Sequence, residues 1–160
     1  MASVRSVGAA GTAWAPRAEE SRAMYLIRER FFRLGEDSLR DPGGREVARV
    51  HRKLVAMRPT YRISIAGQQA AEIRKRLFTP FGDRFTIDVP GPDDLELTGD
   101  LFDHEFSIRR GGQTVATVSK RWFSMRDTYA VDVAAGQDDL LILASVLALD
   151  LAEDEEPTRD

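Results

Sequence analysis

Residues 136–151 read G-Q-D-D-L-L-I-L-A-S-V-L-A-L-D-L, and from Leu140 to Leu149 Ser145 alone is polar. An apolar run this continuous covers every face of a helix and leaves no side for water. Ala, Leu and Ile dominate, and neither Gly nor Pro interrupts the run, so helix is its natural conformation. Asp138 or Asp139 can cap the first turn and complement the helix dipole. A helix is therefore expected over residues 138–151, buried on all sides. The ten residues from Leu140 to Leu149 fall short of the roughly twenty that a bilayer needs, so no membrane span is expected.

The wrapping is written as a repeat. G-R-E-V-A-R-V-H-R-K-L starts at Gly44, G-Q-Q-A-A-E-I-R-K-R-L at Gly67 and G-Q-T-V-A-T-V-S-K-R-W at Gly112. In each copy a turn glycine precedes an alternating strand. One face carries Ala48, Val50, Arg52 and Leu54. Its equivalents are Ala71, Ile73, Lys75 and Leu77, then Ala116, Val118, Lys120 and Trp122. A second strand follows each: Tyr61 with Ile63 and Ile65, Phe85 with Ile87 and Val89, Tyr129 with Val131 and Val133. Each unit reads as a β-hairpin. D-L-E-L-T-G-D and H-E-F-S-I-R-R supply a further strand pair between the second and third copies. Consecutive hairpins make an antiparallel meander, and closure of the meander removes its edges. The expected fold is mainly β: an antiparallel barrel of about ten to twelve strands around the C-terminal helix.

Outside this domain, residues 24–152, the chain is plain. Residues 1–23 show no sustained periodicity and are read as a disordered extension that Trp14 could pin to the domain. They hold no apolar run of secretory length, so the cytoplasm is the expected location. Residues 153–160 read as a disordered acidic tail. There is no cysteine, which excludes disulfides, thiolate catalysis and Cys-based metal sites. Two histidines, His51 and His104, are too few for a usual zinc centre. No cofactor, metal or nucleic-acid partner is expected. Net charge is −3, unevenly spread: residues 45–84 carry 10 basic and 3 acidic side chains, whereas residues 85–160 carry 6 and 17.

The order of motifs resembles the LURP-one-related family. The resemblance covers residues 24–152. It rests on Y-L-I-R-E-R-F-F, G-R-E-V-A-R-V-H-R-K-L, L-F-T-P-F-G-D-R-F-T-I and G-D-L-F-D-H-E-F-S-I. It rests further on V-A-T-V-S-K-R-W-F-S-M-R-D-T-Y-A-V-D-V and G-Q-D-D-L-L-I-L-A-S-V-L-A-L-D. It implies a Tubby C-terminal-like barrel of about twelve strands around a buried helix. It also implies kinship with phospholipid scramblases and phosphoinositide-binding Tubby domains. Where family members carry a strand pair ahead of the first repeat, this chain has G-E-D-S-L-R-D-P-G, which lowers the expected count to about ten.

Candidate chemistry is sparse. Asp103, His104 and Glu105 look like an acid–base cluster, but neighbours in a strand point to opposite faces. A structural histidine fits better, and no enzyme is expected. Arg52, Lys75 and Lys120 share one repeat position, in phase with the apolar face, and Arg121 follows Lys120. Either each lies at a strand end and snorkels to water, or together they hold a phosphate headgroup or carboxylate. Two functions follow: a non-enzymatic binding domain for an anionic phospholipid or phosphorylated small molecule, or an interaction module for a protein partner.

Overall fold

The computed structural model describes residues 2–7, 23–29, 36–53, 58–75, 83–91, 93–100, 105–119 and 128–154. Eleven strands precede one helix in these residues. They are β1 (Ala2–Val7), β2 (Ala23–Glu29), β3 (Glu36–Arg40), β4 (Glu46–Arg52), β5 (Thr60–Ile65) and β6 (Gln68–Lys75). β7 (Asp83–Asp88), β8 (Leu95–Asp100), β9 (Glu105–Arg110), β10 (Gln113–Ser119) and β11 (Thr128–Val133) follow, and then α1 (Asp139–Asp154). From β3 to β11, each strand pairs antiparallel with the next, giving a nine-strand sheet. β2 extends the sheet beyond β11, and β1 pairs with β2. Ala2 and Ser3 of β1 also meet Leu39 and Arg40 of β3, in parallel.

Alternation explains the repeat strands. Ala48, Val50, Ala71, Ile73, Ala116 and Val118 are all buried, as are Tyr61, Ile63, Phe85, Ile87, Tyr129, Val131 and Val133. The three repeat glycines, Gly44, Gly67 and Gly112, share a left-handed conformation with φ of 82°, 77° and 82°. Ala66–Gly67 and Gly111–Gly112 each place two consecutive residues at positive φ. That pattern matches the two-residue hairpin turn whose twist suits its flanking strands.

Two stretches depart from the sequence expectation. E-D-S-L-R, part of the stretch that stands where family members carry a strand pair, is β3. Its inward positions are Asp37 and Leu39, both buried, so a carboxylate in the core phase hides the strand period. β1 lies within the 23 residues read as a disordered extension. Its A-S-V-R-S-V spaces two valines three apart, so no half-buried period announces it and its pairing with β2 supplies the order. Trp14, Leu54, Leu77 and Trp122 lie outside the described residues.

The helix follows the expectation. Asp138 caps it: its carboxylate accepts from the Leu141 amide at 3.1 Å, and its carbonyl accepts from Ile142. Leu141 to Ala152 are all buried, and the Ser145 hydroxyl donates to the Leu141 carbonyl at 2.7 Å. The helix packs against β3, β4, β5, β6 and β11. It runs to Asp154, three residues beyond the expected end at Leu151. Asp150 is 5% exposed and accepts a hydrogen bond from the Tyr129 hydroxyl. Among the described residues no helix is long and apolar enough to cross a membrane.

Candidate cationic site at the sheet end

Register decides where the cations go. β4 ends at Arg52, which lies opposite Tyr61 near the start of β5. Lys53 follows, and its amide donates to the Thr60 carbonyl at 2.9 Å. β6 ends with Arg74, opposite Thr60, and Lys75, whose amide donates to Pro59 at 3.5 Å. Arg58 leads into β5 and is exposed. Five cations, Arg52, Lys53, Arg58, Arg74 and Lys75, therefore sit at three neighbouring strand ends on one end of the sheet.

The two candidates in core phase are half-buried, not fully buried. Both sit at strand ends, so a long stem can lie along apolar surface while the charge reaches out. The Lys75 ammonium lies 5.8 Å from the centre of the Phe85 ring, and Phe85 is its cross-strand partner. Lys120, Arg121, Asp103 and His104 lie outside the described residues. Glu105 opens β9 and is exposed.

Lys53 and Arg74 point to the outer face and meet a carboxylate that sequence reading left unassigned. Glu72, 9% exposed, accepts from the Lys53 ammonium at 2.5 Å through Oε2. Its Oε1 accepts from Arg74 Nη2 and Nε at 2.9 and 3.2 Å. Arg74 Nη1 reaches Asp88 at 3.0 Å. The hydrogen bond from Lys53 holds the Glu72 carboxyl below its ordinary 4.5, with Arg74 helping, while burial pushes the other way. A depressed folded-state value means that this stabilisation is complete above the unfolded value and is lost as pH falls through the folded one. Acid titration of the melting temperature should therefore fall less steeply below about pH 4.5 in Glu72→Gln than in the parent. Equal slopes would show that the network does not contribute.

The basic segment is also less bare than its charge count suggests, because pairing imports acids from outside it. Asp88 serves Arg74, and Glu36 of β3 joins Glu46 in holding Arg49, each at 2.9 Å. A contact between residues 53 and 72 cannot be read without the register that folds β5 between them. The available signal was that Glu72 is one of only three acids in residues 45–84.

Elsewhere, a concavity of about 660 Å³ crosses the outer face of β8 to β11. Hydroxyls of Thr98, Ser107, Thr117 and Ser119 line it with Glu105 and Asp132. Among the described residues no group of three or more His, Cys, Asp or Glu could hold a metal ion.

Comparison with known proteins gives a consistent result. A family model described as LURP-one-related matches residues 14–150. The "Uncharacterized protein YxjI" of Bacillus subtilis (strain 168) is similar, 30% identical over 133 residues, which cover 82% of this chain and 80% of that protein. No solved structure matches.

Proposed function

The chain belongs to the LURP-one-related family, and from that premise we propose that it is a non-enzymatic binding domain for an anionic ligand, a lipid phosphate headgroup or a phosphorylated small molecule. The observation that carries this reading is the gathering of Arg52, Lys53, Arg58, Arg74 and Lys75 at one end of three adjacent strands. Like charges brought together cost energy unless anions offset them. Glu72 and Asp88 engage Lys53 and Arg74. An anionic surface presented to that end of the sheet would add attraction of about 1 kcal/mol per cation. In this proposal β1 and β3 complete a barrel of the Tubby C-terminal type, with α1 as its filling.

Co-sedimentation with phosphatidylcholine vesicles, with and without phosphatidic acid, tests it. Binding should require the anionic lipid and should weaken as salt screens the contact. Replacing Arg52 and Lys75 together by Gln should remove about 2 kcal/mol of binding, roughly thirtyfold. Stability should change by no more than about 1 kcal/mol, the scale of a cation–π contact. A parent that ignores anionic vesicles and inorganic phosphate would end this reading and bring forward a protein partner.

A further inference from the structure

Glu72 stands at the centre of the cationic face. Lys53 and Arg74 bond it, Arg62 lies directly across from it on β5, and His51 lies directly across from Arg62 on β4. One carboxylate oxygen takes an ammonium and the other takes two donors of a guanidinium. Those are the donors that recognise phosphate oxygens. Lys53 and Arg74 are also the chain neighbours of Arg52 and Lys75, so outer and inner cations meet at the same strand ends.

We propose that Glu72 is a built-in counter-anion that competes with phosphate-bearing ligands for Lys53 and Arg74 and so sets the affinity of this end of the sheet. The inference rests on the binding role proposed above. Charge counting gives it direction. Lys53, Glu72, Arg74 and Asp88 form a linked set of two cations and two anions, so within that set the charges cancel. Neutralising Glu72 leaves that set with one positive charge, beside Arg52, Arg58 and Lys75. The side chain of Glu72 is 12% exposed and that of Lys53 32%. Water therefore screens their attraction only in part, and a ligand has to displace it.

A purely structural pair gives a different expectation. Breaking it would lower stability and leave binding unchanged or weaker. The test is Glu72→Gln, with Glu72→Met in its place should the first not fold. Glu46→Gln, which makes the same charge change beside Arg49, serves as the control. Binding is read with inorganic phosphate by calorimetry and with phosphatidic acid vesicles by co-sedimentation, so that a soluble phosphate ligand and a headgroup are told apart. Glu72→Gln should bind at least one probe about tenfold more tightly than the parent, and Glu46→Gln should match the parent. If the parent binds and Glu72→Gln binds equally or less well, the competition is refuted while the binding role stands. An equal gain in Glu46→Gln also refutes it, since net charge would then be the cause. If no form binds either probe, the binding role falls and the inference with it.

Discussion

Leu143→Asp is expected to yield no folded protein. Leu143 is 0% exposed and lies within the buried run from Leu141 to Ala152. An uncompensated charge in such a position costs several kcal/mol, and the lost leucine contacts add to that. Domain stabilities of about 5–15 kcal/mol leave little margin for it. Leu143→Met, which conserves volume, should cost less than about 1.5 kcal/mol. Far-UV circular dichroism through a thermal melt checks both. A soluble Leu143→Asp protein with a cooperative transition near that of the parent would refute the all-round burial of α1.

Tyr129→Ala is expected to cost about 4 kcal/mol or more. The ring is 1% exposed and lies 6.3 Å from the centre of Phe106, so its removal leaves a cavity. Its hydroxyl donates to the buried Asp150 carboxylate and so ties β11 to the helix. Tyr129→Phe keeps the ring and removes the donor. It should cost about 2 kcal/mol, the scale of a bond to a charged acceptor. Denaturant melts of both variants separate the two contributions. If Tyr129→Phe matches the parent, the tie carries no stability.

The helix and the eight strands β4 to β11 could be read from residue order because each follows a local rule. Leu140 to Leu149 are apolar on every face, and Gly44, Gly67 and Gly112 announce turns that lead into alternating strands. The unreadable parts are those where a charge stands in the core phase or where order comes from a distant partner. Asp37 disguises β3, and β1 gains order from β2. The burial of Asp150 inside the helix rests on Tyr129, 21 residues earlier, and does not show in its own neighbourhood. At the candidate site, Arg52 and Lys75 could be placed by phase alone. The bonds of Glu72 to Lys53 and Arg74 could not, since they depend on how β4, β5 and β6 are laid side by side.

Among the described residues α1 comes after every strand, and this order matters for how the protein is made. A ribosome emits chain from the N-terminus at about 5–20 residues per second. Throughout that time Val50, Ile63 and Val131, all 0% exposed in the finished fold, have been synthesised without the helix that packs against their strands. Neighbouring strands can pair as they emerge, but the side of the sheet that α1 covers then faces water. Such an intermediate associates readily with other chains. Translation thus delivers these strands before the helix that covers them, and their apolar side stays open to association until α1 is released.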